Sequence, residues 1–134
     1  STINMKIVAD TNIFLAVALN EPEKKEIIAL TVGHELIAPE VLPFEIGNAL
    51  SSLVRRNRLT REEALLAWTA CLAIPVDLRA IDIENALTIA IKNNIYAYDA
   101  YFIECATSLR CSLLTLDRHL KTVCQDHGIP ILEF

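Results

Sequence analysis

The sequence predicts an α/β domain of three layers, with helices on both faces of a mostly parallel central sheet. Short apolar runs at residues 5–9, 35–38 and 112–116 alternate with longer segments whose apolar residues recur at helical spacing. Strands hidden on both faces read as such uninterrupted apolar runs, and helices between parallel strands supply the cover. Two of the runs also end in the same way, at Asp10 and at Asp117.

The elements follow in order. After the first run, Asn12 is expected to cap a helix over 13–19, which Pro22 interrupts before a second helix over 23–32. Residues 35–38 form the next strand candidate. Pro43 opens a helix whose inner stripe is Ile46, Ala49, Leu50, Leu53 and Val54, with Glu45 in its first turn and off the stripe. Thr60 and Glu63 make a capping box for a helix over 61–72. Residues 75–78 read as extended, 82–92 as helix, and 99–109 as helix with Asp99 at its start. The run at 112–116 leads through Asp117 into a helix over 118–125, which Gly128 stops before a last strand at 129–132.

In a parallel sheet covered by helices, ligands collect beyond the carboxyl ends of the strands. Asp10 and Asp117 follow strands directly, and Glu45 and Asp99 begin helices, which start on that same edge. Topology is therefore expected to gather four acids that are scattered over a hundred positions.

Composition narrows the reading. At 134 residues and 53% hydrophobic content, with three Gly, five Pro, no repeat and no low-complexity tract, a single domain over 1–134 is expected. Ser1 to Asn4 precede Met5-Lys6, which reads as a natural start, so the first four residues are expected to be additions to the natural chain. Cys71, Cys105, Cys111 and Cys124 lack zinc-site spacing and lie among apolar residues, which points to reduced thiols and a cytoplasmic protein. No stretch approaches the roughly 20 apolar residues that cross a bilayer. The net charge of −5 excludes a broadly basic nucleic-acid surface, although Arg55, Arg56 and Arg58 are grouped at a helix end.

Four carboxylates in one place need a reason. Two unit charges about 5 Å apart repel by roughly 3 kcal/mol at an effective dielectric of 20, and a cluster multiplies that cost. A divalent cation removes it, and oxygen ligands without His or Cys favour Mg2+ or Mn2+. Such an ion suits hydrolysis of a phosphodiester. Each Asp taken singly is equally well read as a helix cap; the coincidence of four is the signal, and Glu45 is its most telling member because Glu caps poorly.

Four motifs then fall in one order: Val8-Ala9-Asp10-Thr11-Asn12, Pro43-Phe44-Glu45-Ile46-Gly47-Asn48-Ala49-Leu50, Tyr98-Asp99-Ala100-Tyr101-Phe102, and Leu113-Leu114-Thr115-Leu116-Asp117. Together they resemble a PIN-domain ribonuclease, and are most similar to VapC-type toxins of toxin–antitoxin pairs. The resemblance runs from Lys6 to about Leu132. It implies a sheet sandwiched by helices and a pocket in which Asp10, Glu45, Asp99 and Asp117 hold Mg2+ or Mn2+. Thr11 or Asn12, and Thr115, match its supporting polar residues. It further implies cleavage of single-stranded RNA, a homodimer, and a small antitoxin that inserts a segment into the pocket.

Other readings were weighed against this one. An RNA-binding or RNA-processing protein of the same fold, outside a toxin–antitoxin pair, is the alternative within the family. A phosphatase with a nucleophilic Asp would need an acid where Asn12 stands, and a phosphate-accepting receiver module would need an acidic pair and a late Lys. Arg55, Arg56 and Arg118 are candidate phosphate contacts. Asn48 is a candidate for the pocket rim and His119 the one histidine of interest, whereas for Tyr98 packing is favoured over base stacking.

Overall fold

A computed structural model describes residues 4–134; the expectation for Ser1 to Asn4 falls mainly on residues outside that range. The order of elements is β1 (Lys6–Ala9), α1 (Thr11–Ala18), α2 (Lys24–Thr31), β2 (Glu35–Pro39), α3 (Leu42–Arg55), α4 (Arg61–Leu72), β3 (Asp77–Arg79), α5 (Ile83–Asn93), α6 (Ala97–Leu109), β4 (Ser112–Leu114) and α7 (Arg118–Asp126). The α/β class and the parallel sheet are as expected.

The four strands lie in the order β3-β2-β1-β4 and every neighbouring pair is parallel, with Val8 opposite both Ile37 and Leu113. The chain therefore builds outward from β1 through β2 to β3, then crosses back to place β4 on the other side of β1. This reversal makes the carboxyl ends of β1 and β4 a topological switch point, where the loops diverge and leave a crevice. Both Asp10 and Asp117 emerge there.

Ile7, Val8, Ala9, Leu113 and Leu114 are all 0% exposed. Because successive strand residues point to opposite faces, burial of every one means that both faces are covered. Helix α6 packs on β1, β2 and β4 and contributes Phe102, Ile103, Cys105 and Ala106 to the core. Helix α1 contributes Ile13 and Phe14 and packs against α3 and α4. All four cysteines are free and buried; burial pushes the thiols of Cys105 and Cys124 up to about 12, so they pack as small apolar groups. Among the described residues, no helix is long and apolar enough to cross a membrane.

Several boundaries differ from the sequence reading, among them the extended segment expected at 75–78, which forms β3 at Asp77–Arg79. Asp10, not Asn12, caps α1: its backbone is extended and its carboxylate accepts from the Ile13 N–H, so the helix begins at Thr11. Helix α6 begins at Ala97, which puts Asp99 inside the first turn rather than at its start. Strand β4 ends at Leu114, so Asp117 follows a short bend instead of the strand itself. The expected last strand is reduced to a single parallel bridge between Leu113 and Ile131. Pro130 can accept from the Leu113 N–H but has no N–H to continue the ladder. The capping box at Thr60 and Glu63 forms as expected, with both reciprocal hydrogen bonds.

Phe14 is 1% exposed in the core, on the helix that packs against α3 and α4. Phe14→Ala is expected to lower stability by about 3–5 kcal/mol in a urea titration, through lost burial and the cavity left behind.

Candidate metal centre

Asp10 is 6% exposed and held from two sides. Its Oδ1 accepts from the Ile13 N–H at 3.3 Å, and its Oδ2 accepts a short hydrogen bond from the Thr115 hydroxyl. Thr115 is 0% exposed, and its Oγ1 also accepts from the Asp117 N–H at 3.0 Å. One buried hydroxyl thus ties the Asp10 side chain to the Asp117 backbone across the switch point. Asp117 in turn caps α7, its Oδ1 accepting from the N–H groups of His119 and Leu120 at 2.9 and 3.2 Å.

Glu45 enters from the first turn of α3 and Asp99 from the first turn of α6. All four acids line one cavity of about 200 Å³, together with Thr11, Asn12, Asn48 and, on its apolar side, Phe44, Ala49, Tyr98 and Phe102. The charges act on one another. Burial pushes Asp10 up to about 6, outweighing the hydrogen bonds from Thr115 and Ile13 that pull it down; the charges of Asp117 and then Asp99 add smaller upward contributions. Burial, then Asp99, pushes Glu45 up to about 7, and the nearby Thr11 hydroxyl offsets only part of this. Asp99 is raised by burial and by Asp117, while His119 pulls the other way.

Glu45 Oε1 and Thr11 Oγ1 are buried and neither makes a hydrogen bond of regular geometry. Orphaned oxygens at the bottom of an all-oxygen acidic pocket are what a hard divalent cation would satisfy, so the donor set fits Mg2+ or Mn2+. Among the described residues, no three Asp, Glu, His or Cys groups stand close enough to hold an ion as they are. The acids line one pocket, and ligation would need the other three to close on Asp10, which is held in place.

A second cavity of about 630 Å³ shares Asn12, Asn48, Ala49 and Asp117 with the first and continues along α3 past Ser52 to Arg56. Its other wall carries Glu21 and Glu23, and Glu23 Oε2 is buried without a partner. The arginine group seen in the sequence divides here. Arg56 faces this cleft, whereas Arg55 lines an apolar groove between α3 and α4 with Leu50, Val54, Leu65 and Trp68. Consecutive helical residues point about 100° apart, which separates them. Arg118 and Arg58 are exposed and line neither cavity. Phe44 is the pocket residue that the sequence reading missed. Its one signal was its position beside Glu45, because its surroundings read simply as an apolar helix start.

A comparison with protein families matches residues 7–126 to the PIN domain. The chain belongs to the PIN-domain family. Among curated PIN-domain relatives, Ribonuclease VapC3 of Pyrobaculum aerophilum is 30% identical over 121 residues, spanning 87% of this chain and 92% of the relative. Two solved structures share the fold. VapC20 of Mycobacterium tuberculosis, titled a Sarcin-Ricin loop cleaving toxin, superposes with a TM-score of 0.68 at 13% identity over 96% of this chain and 99% of that one. VapBC2 of Rickettsia felis, bound to a DNA fragment from its promoter, gives 0.65 at 14% identity over 96% and 98%.

The raised carboxyl pKa values have a consequence for this PIN domain. The folded state holds these protons more tightly than the unfolded chain, so the stabilisation is complete below the ordinary values near pH 4 and is lost as pH rises through about 6 for Asp10 and about 7 for Glu45. For Asp10 alone the loss is about 3 kcal/mol. In EDTA the melting temperature should therefore fall between pH 5 and pH 8, and saturating Mg2+ or Mn2+ should flatten the decline. A decline that divalent metal leaves unaltered would count against the pocket as a cation site.

Proposed function

We propose that this PIN domain is a divalent-metal-dependent endoribonuclease, with Asp10, Glu45, Asp99 and Asp117 as its metal ligands and catalytic acids. The convergence of these four carboxylates around the orphaned Glu45 Oε1, at the switch point of the sheet, carries the reading. The names of its relatives support RNA as the substrate.

A cation bound by the four acids would neutralise charge developing on the phosphate and make water a better nucleophile at neutral pH. The chain supplies the rest. Thr115 and the α1 N-terminus hold Asp10 in a fixed rotamer, and Thr115 sets the height of Asp117 beside it. Asn12 and Asn48 offer amide N–H donors to a phosphate or ribose at the rim. Arg56, at the far end of the cleft, supplies one positive charge to a neighbouring phosphate.

The partners follow from exposed apolar surface. Ile83, Leu87 and Ile91 lie at intervals of four on α5 and are exposed, a stripe that supports a homodimer. The apolar groove between α3 and α4, about 470 Å³, supports docking of an antitoxin segment, with the protein acting as the toxin of a cytoplasmic toxin–antitoxin pair.

Total RNA incubated with the protein and Mn2+ should be cut, and EDTA should stop the cutting. Asp10→Asn and Glu45→Gln should each reduce the rate by about a hundredfold or more while the protein stays folded by circular dichroism. RNA left intact with Mn2+, or equal cutting by the Asp10→Asn variant, would overturn the reading. Arg56→Ala should weaken cutting of all sequences alike and reduce the salt-dependence slope by about 0.7.

A further inference from the structure

We infer that Phe44 and Tyr98 stack on the nucleobases flanking the phosphate that enters the acid pocket, an inference that rests on the RNA-cleaving reading above. Both rings line the pocket, yet they are 77% and 55% exposed. Each is the chain neighbour of an acid, Phe44 of Glu45 and Tyr98 of Asp99. The first turns of α3 and α6 thus each present one carboxylate and one ring to the same cavity.

A single exposed aromatic is ordinary on a protein surface. Two at the mouth of one polar pocket, above the buried Phe102, form a composite surface of flat apolar rings beside carboxylates and amides. An apolar protein segment would leave those polar groups unpaired. Single-stranded RNA matches both parts, since its phosphate and ribose are polar and its bases present π faces. Tyr98 also meets Tyr101 edge-to-face, with ring centroids 5.9 Å apart and planes at 85°, which restrains its ring before any ligand arrives.

Charge strengthens the case. The chain carries a net −5, and among the described residues Arg56 is the only basic one lining the two adjoining cavities. Phosphate contacts can therefore supply little of the affinity for a polyanion. Stacking does not depend on net charge, and every base has a face to offer.

The test uses the full chain and a short single-stranded RNA spanning a site that the wild-type protein cuts in Mn2+. Phe44→Ala and Tyr98→Ala should each raise KM by roughly 5- to 150-fold, with kcat changed much less and the melting temperature unchanged. Phe44→Trp should restore the wild-type KM, and Phe44→Leu should not. An abasic nucleotide beside the cut should weaken the wild type by a similar factor and add nothing in Phe44→Ala. The wild-type salt slope should stay shallow, near that of one or two phosphate contacts, about −0.7 to −1.4. Variants that cut RNA with the wild-type KM, whether or not they lose a protein partner, would overturn the inference alone, as would Leu serving as well as Phe. If the wild type cuts no RNA, the reading beneath falls and this one with it.

Discussion

The Thr115 hydroxyl, fully buried between β4 and α7, donates to the Asp10 carboxylate and accepts from the Asp117 backbone. Through that one group, the segments that leave β1 and β4 are tied together at the edge where Asp10 and Asp117 line one cavity. The rest of the site depends on the resulting constraint. Asp10 cannot swing out to water, because the Ile13 N–H and Thr115 hold both its oxygens, so its charge must be tolerated in place. Glu45 and Asp99 arrive from α3 and α6 into the same pocket, where burial first and neighbouring carboxylates second raise the proton affinity of each.

Such a site opposes its own polyanionic substrate. Carboxylates repel phosphate, and the net charge of −5 offers no compensating basic surface. Two features answer this conflict. On the proposed reading, a bound divalent cation would invert the local sign within the pocket. Outside it, Arg56 and the exposed rings of Phe44 and Tyr98 offer contacts at the margin, where the acids are farther away. The proposed division of labour would place charge neutralisation at the reacting phosphate and non-ionic contact on its neighbours.

The fold was legible because its signals are local. Continuous apolar runs mark doubly buried strands, and the Thr60-Glu63 box marks a helix start within a residue. The acids were legible because topology alone assigns strand ends and helix starts to one edge. What escaped was set by tertiary contact. Asp10 displaced Asn12 as the cap because its backbone leaves β1 extended, a detail that side-chain preference cannot separate between two good capping residues. The last strand failed at Pro130, where one missing N–H leaves a single bridge. Phe44 was invisible because an apolar residue at a helix start reads as core until its exposure is known. The separate directions of Arg55 and Arg56 needed the phase of α3 as well as its existence.

Folding confines carboxylates whose charge, above about pH 7, a bound cation would relieve. Carboxyl carbon NMR of protein labelled in its Asp and Glu side chains measures this directly, residue by residue. Without metal, Asp10 should titrate near about 6 and Glu45 near about 7, and saturating Mg2+ should drive both midpoints down. Midpoints at the ordinary values of 3.8 and 4.5, unmoved by Mg2+, would contradict it.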